Sequence, residues 1–183
     1  MQITHPQVEE MQRQAYEFCM AYGKNPNRGY RLVISGENGA GKSRVAKKIH
    51  KWAYDCSTAI KRAESSSEYS PTRTASAEYW HFPTLLDAMR RNLERNWIDE
   101  LCRRPDAPNL LVLDDVGAEH DPSKFGAAQL YMILERRSDM WTVLTTNAKP
   151  DAWEQKWDRR VSSRLFRNSI HVVVDQVPDF SSL

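Results

Sequence analysis

No hydrophobic run in the chain approaches the ~20 residues that a membrane-spanning helix needs, and the opening Met1-Gln2-Ile3-Thr4-His5-Pro6 lacks the charged and apolar regions of a secretion signal. Cysteine is scarce. Cys19, Cys56 and Cys102 are odd in number and widely spaced, which argues against a disulfide framework or a zinc site. They read as buried or idle thiols in a reducing cytoplasm. A net charge of +2 selects no class of partner by itself. What remains is ordinary for a globular α/β chain: 183 residues, 40% hydrophobic and 27% charged, enough to bury one core. We expect one domain over 1–183, with a leading helix and linker over 1–28.

Glycine is also sparse, at seven residues, yet three of them fall in Gly36-Glu37-Asn38-Gly39-Ala40-Gly41-Lys42-Ser43. The apolar run Tyr30–Ser35 before it reads as a buried strand, and Arg44–Ala53 after it reads as a helix. This is G-x-x-x-x-G-K-S in its strand–loop–helix setting. Glycines let the backbone N–H groups turn inward around phosphate oxygens, at a helix N-terminus that already favours negative charge. Residues Gly36 to Arg44 are therefore the expected nucleotide-binding set. Lys42 would reach the β- and γ-phosphates, and the Ser43 hydroxyl would ligate Mg²⁺. The bland alternative, a glycine-rich turn with no ligand, does not account for all eight positions. The chain is expected to bind a nucleoside triphosphate. Between Lys42 and Lys51 there are five basic residues and no acidic one.

Taken in order, Val8, Met11, Ala15, Phe18, Cys19 and Tyr22 mark one face of a helix over residues 7–22. Half of the fourteen residues from Glu64 to Ala77 are Ser or Thr, which predicts a mobile surface loop. Ala77–Phe82 reads as a strand and Pro83 as the first turn of a helix. Leu85, Leu86, Met89, Leu93, Trp97 and Leu101 form a stripe that predicts one continuous helix as far as Arg104. Its other face carries Arg90, Arg91 and Arg95 among mixed charges, a pattern that is usually only solvated.

Asn109–Asp115 places four apolar residues ahead of two carboxylates, as in a strand whose C-terminal end faces the nucleotide. Asp114 would hold Mg²⁺, and Asp115 would orient the attacking water. Asp121-Pro122 is expected to cap and open a helix burying Phe125, Leu130, Ile133 and Leu134. Trp141–Thr146 reads as a further strand ending on Asn147, whose amide suits contact with water or γ-phosphate. Arg160 and Arg164 lie four apart on one predicted helix face, ahead of a last strand over Ile170–Val174. Guanidinium groups suit bidentate phosphate contact, so either could act on a neighbouring subunit's nucleotide; intrachain salt bridging is the plainer alternative.

Together, "LLVLDDVG" at Leu110–Gly117, "TVLTTN" ending at Asn147, "RRVSSRL" at Arg159–Leu165 and the loop Gly36–Ser43 resemble AAA+ ATPases. Within these the similarity is to the clade of DnaC-type helicase loaders and IstB-type transposition ATPases, and it runs in the same order through nearly all of the chain. The resemblance implies a P-loop core with a five-stranded parallel sheet ordered 5-1-4-3-2, helices on both faces and little or no C-terminal lid. It implies ATP and Mg²⁺ as cofactors, with Lys42, Asp115 and Asn147 catalytic. The site would be completed by a neighbour's Arg164, or by Arg160, in a homo-oligomer formed with ATP. Single-stranded DNA and a replicative helicase or transposase are the implied partners. Arg90, Arg91 and Arg95 become candidate DNA contacts through backbone charge. Two departures stand out. Only one helix precedes the core where such proteins carry a partner-gripping domain, and Ser181 stands where a second sensing arginine would sit. Slow turnover is therefore expected.

A small-molecule P-loop kinase is the alternative of another class, and a module using ATP only as a structural ligand is a third. Asn147-Ala148-Lys149-Pro150 lacks the pattern that reads guanine, which disfavours a GTPase.

Overall fold

Five segments pair in parallel as one sheet: β1 (Arg31–Gly36), β2 (Ala77–His81), β3 (Leu110–Val116), β4 (Trp141–Thr146) and β5 (Ser169–Val174). Their order is β2-β3-β4-β1-β5, the expected 5-1-4-3-2 read from the other edge. The computed structural model describes residues 5–64, 76–103, 107–175 and 177, the side chains of 57–64 aside. Three sequence expectations therefore fall outside the described residues: most of the Ser/Thr-rich stretch (65–75), Arg104, and the 178–183 segment containing Ser181.

Parallel neighbours require crossovers, and helices supply them. They are α1 (Pro6–Lys24), α2 (Lys42–Glu64), α3 (Phe82–Arg91), α4 (Trp97–Cys102), α5 (Phe125–Arg136), α6 (Trp153–Lys156) and α7 (Arg159–Phe166). The period of two along each strand sorts the core into two layers. Val33, Leu111, Leu113 and Leu144 pack with residues of α3 to α7, whereas Leu32, Ile34, Val112, Val143 and Val172 pack with α1 and α2. Both faces are covered, which explains why β3 is apolar at four successive positions. Among the described residues no helix is long and apolar enough to cross a membrane.

α1 docks through an aromatic cluster in which Phe18 and Tyr22 meet Trp141 edge-on at 5.0 and 5.8 Å between ring centroids. Gly29 lets this ring lie flat on the backbone, since a Cβ there would come within 2.1 Å of Trp141.

Two expectations are corrected. The predicted helix through Leu85–Arg104 is broken: α3 ends at Arg91 and α4 starts at Trp97. Asn96 caps α4 by accepting the Asp99 N–H at 3.3 Å, and Leu93, the stripe's middle member, is 78% exposed. Capping by an asparagine outweighs an apolar period that one exposed leucine can break. Second, α5 begins at Phe125 rather than at Asp121-Pro122, which form a turn. The Asp121 carboxylate still serves that helix by accepting the Ala127 N–H at 3.2 Å.

Two arginines, Arg31 and Arg137, are fully buried. Arg137 donates to the carbonyls of Leu101 (2.6 Å), Pro108 (2.9 Å), Asn109 (3.2 Å) and Trp141 (2.9 Å), tying the start of β3 and β4 to the ends of α4 and α5. Arg31 donates to the carbonyls of Arg164 and Arg167, both at 2.7 Å, and to that of Leu134. These carbonyls lie at helix C-termini, where backbone acceptors are left over and the dipole favours a cation. Burial pulls the Arg31 pKa down to about 10, which still leaves it charged at neutral pH.

Candidate active site

The loop between β1 and α2 takes its shape from glycine. Gly36 has φ +140°, and a Cβ there would lie 2.0 Å from the Val174 carbonyl oxygen. The next N–H, of Glu37, donates to that same oxygen at 3.0 Å, so the loop crosses over the end of β5. Gly39 and Gly41 also have positive φ, at 76° and 83°. Lys42 is buried, and its ammonium donates to the carbonyls of Gly36 (2.9 Å) and Glu37 (2.6 Å). Burial lowers its pKa, and the negative charges of Asp115, Asp114 and Glu37 oppose that shift.

The two acids of β3 do different things. Adjacent residues of a regular strand point to opposite faces. Here the register between β3 and β4 shifts between Leu113 and Val116, and Asp115 adopts φ +62°. Asp114 is buried and accepts from the Thr145 hydroxyl at 2.5 Å and from the Tyr79 hydroxyl. Asp115 is half-exposed at the cleft. Its N–H donates to Thr145 Oγ1 at 2.8 Å, its Oδ1 accepts from Asn147 Nδ2 at 3.3 Å, and its Oδ2 lies 3.7 Å from His81 Nε2.

A cleft of about 1350 Å³ joins these groups. It is lined by residues 38–45 of the loop and α2, by Asp115, Thr145 and Asn147 from the strand ends, and by one side of α1 including Val8, Gln12 and Ala15. Lys42, Ser43, Asp115 and Asn147 all line this cleft; Asp114 does not, and is joined to its wall through Thr145. Sequence reasoning did not single out Thr145, Tyr79 and His81. Thr145 is a β-branched polar residue of "TVLTTN" that bridges the Asp114 carboxylate and the Asp115 N–H. Tyr79 and His81 are two apart on β2, hence on one face, and His81 is in register with Asp114. Burial and the hydrogen bond to Asp114 push the Tyr79 pKa upward.

Arg160 and Arg164 do share one face of α7, and each guanidinium lies 5.5 Å from the Tyr131 ring centroid. Asp158 caps this helix by accepting the Val161 N–H at 2.9 Å. Arg164 is paired with Glu135, which holds the arginine pKa up and the carboxyl pKa down. Arg160 is exposed and reaches Asp158 at 3.1 Å. Neither arginine lines the cleft of its own chain. Of the other basic candidates, Arg90 meets Asp87 and Asp121, both at 3.4 Å. Arg95 pairs with Glu100 at 2.6 Å and lies 3.8 Å from the Trp97 ring centroid. Only Arg91 of the three is exposed without an ion pair among the described residues.

The donors fit a magnesium–triphosphate. Inward-turning glycine backbone and a buried ammonium suit phosphate oxygens, while a hydroxyl (Ser43) and a carboxylate (Asp114) are the hard oxygen ligands that Mg²⁺ takes. When bound, the ion would neutralise phosphate charge. Among the described residues no cluster of three or more His, Cys, Asp or Glu forms a separate metal centre.

No family model and no curated protein sequence matches the chain. Solved structures do. The DnaC helicase loader is 18% identical, with 88% of this chain and 89% of that one covered at a TM-score of 0.64. DnaI is 18% identical, with 92% and 83% covered at 0.63. The replication initiator DnaA bound to AMPPCP and single-stranded DNA is 19% identical at 0.61; 89% of this chain covers 46% of that one. The likeness is one of fold.

Proposed function

We propose that the protein is a DNA-replication ATPase of the helicase-loader type, which binds ATP with Mg²⁺ and hydrolyses it at a site shared between subunits. The observation that carries this reading is the division of the machinery. Lys42, Ser43, Asp115 and Asn147 line one cleft, with the buried Asp114 held to its wall by Thr145, whereas Arg164 and Arg160 stand on α7 outside it. Arginines four apart on a helix, away from their own site, suit the phosphates of a neighbour's.

In this reading residues 36–44 bind the triphosphate. Asp115, held by Asn147 and by Thr145 through its N–H, accepts a hydrogen bond from water and orients it for in-line attack. Arg164 of the next subunit meets the charge that develops on the γ-phosphate. Assembly with ATP would then switch the grip on single-stranded DNA and on a cytoplasmic partner, a replicative helicase or, for an IstB-like role, a transposase. The fold shared with a helicase loader, and with an initiator solved with a nucleotide analogue and single-stranded DNA, supports that direction.

The test is the ATPase rate per subunit against protein concentration, with and without single-stranded DNA. Arg164→Ala and Asp115→Asn are each expected to be inactive alone. Mixed, they create interfaces with an intact Asp115 and an intact Arg164, so activity should return. A rate independent of concentration, with no recovery on mixing, would mean a self-contained site and would favour a small-molecule kinase.

A further inference from the structure

We propose that the outward face of α2, built on Lys47 and Lys51, is the surface along which this protein holds single-stranded nucleic acid. The inference rests on the DNA-linked reading above and gives it a location that the sequence alone did not. From Asn38 to Tyr54 the chain carries no acidic residue, while Arg44, Lys47, Lys48 and Lys51 are all exposed cations. Helical spacing sorts them into two rows. Arg44 and Lys48 turn toward the nucleotide cleft and line it. Lys47 and Lys51 form the other row, pointing away from it, with the 57% exposed ring of Tyr54 one turn further along.

Competition for these charges is light. Lys47 meets no carboxylate among the described residues and lies 5.8 Å from the Tyr79 ring centroid. Lys51 reaches Asp55 at 2.9 Å, but both side chains are well solvated (77% and 59% exposed), so the pair is weak and yields to a phosphate. Glu78, on the neighbouring strand, is engaged by the Trp80 indole N–H at 3.0 Å. The α3–α4 arginines contrast with this, since Arg90 and Arg95 already have acidic partners.

One helical turn separates the two lysines by ~6 Å of axial rise. A flexible single strand can match that step, and charge with an adjacent aromatic ring is how such strands are held without reading sequence. The surface also has a route to the reaction centre. Lys47 and His50 both flank the Tyr79 ring, and the Tyr79 hydroxyl holds the Asp114 carboxylate. A strand drawn onto Lys47 therefore lies one side chain away from the acid assigned to the metal.

Binding of a fluorescent oligothymidylate is measured by anisotropy over a salt series, with ATP present. The proteins compared are wild type, Lys47→Glu with Lys51→Glu, and Arg90→Ala with Arg91→Ala and Arg95→Ala. Neither lysine lines the cleft, so nucleotide binding and basal ATPase should be retained and report intact folding. Lys47→Gln with Lys51→Gln serves if the reversal does not fold. The α2 variant should bind at least tenfold more weakly, and the slope of log K against log salt should fall by about 1.4, or roughly 0.7 for each lost phosphate contact. Loss confined to the α3–α4 variant would overturn this surface while leaving the DNA-linked ATPase reading intact. A wild-type protein that binds no oligothymidylate would overturn both. Equal loss of affinity for a duplex of the same length would make the face a general polyanion surface, against the single-strand assignment.

Discussion

The Arg164 guanidinium is held by the Glu135 carboxylate across the α5–α7 contact, with the Tyr131 ring beneath it. The residue proposed to act on a neighbouring subunit is thus kept occupied within its own chain. Removing the carboxylate's charge should release it. Glu135→Gln is expected to raise the ATPase rate at limiting protein concentration by roughly two- to fivefold, with little change once assembly is saturated. Rates measured across a dilution series check this. A fall to the level of Arg164→Ala would mean instead that Glu135 aims the arginine.

Thr145 serves both acids of β3, donating to Asp114 and accepting from the Asp115 N–H. Valine fills the same volume and does neither. Thr145→Val should lower stability by about 1–3 kcal/mol, the cost of leaving a buried donor and acceptor unpaired, and should reduce turnover at least tenfold. Thr145→Ser should keep most of both. Urea unfolding beside steady-state rates separates the two effects. Equal activity in Val and Ser variants would remove Thr145 from the site.

Arg137 offers a test of stability far from the chemistry. Its replacement by methionine keeps the chain's bulk but strips the partners from four carbonyls. A loss of about 3–5 kcal/mol is expected by analogy with breaking a buried ionic network. Lysine should restore less than half, because one ammonium has three donors against the five of a guanidinium. The measurement is the urea midpoint at constant slope. A lysine variant as stable as wild type would show that charge, rather than the fork of donors, is what this position requires.

How legible all this was in the sequence depended on the range of the interaction. Gly36–Ser43 is readable because its chemistry is local: glycine conformations, a lysine and a hydroxyl within eight residues. The acids of β3 are readable for the same reason, as an apolar strand ending in charge. The sheet order came from resemblance, since no single strand encodes its neighbours. What escaped was long-range. Tyr79 reaches Asp114 from 35 positions away, and Thr145 from 31. The carbonyl partners of Arg31 and Arg137 lie 28 or more positions away, with that of Trp141 the one exception, and no local pattern announces them. The break between α3 and α4 escaped for a different reason: Leu93 continues the apolar period, yet α3 stops at its C-cap Asn92 and Asn96 opens a new helix.

Asp115 is one of the few non-glycine residues with positive φ, and that turn is what brings two successive carboxylates to one place. A side chain there costs about 1 kcal/mol relative to glycine. Asp115→Gly would relieve the backbone and make the fold more durable while removing the group that orients water. Durability and turnover therefore pull in opposite directions at this position, and a sequence optimised for heat resistance alone would give up its reaction there first.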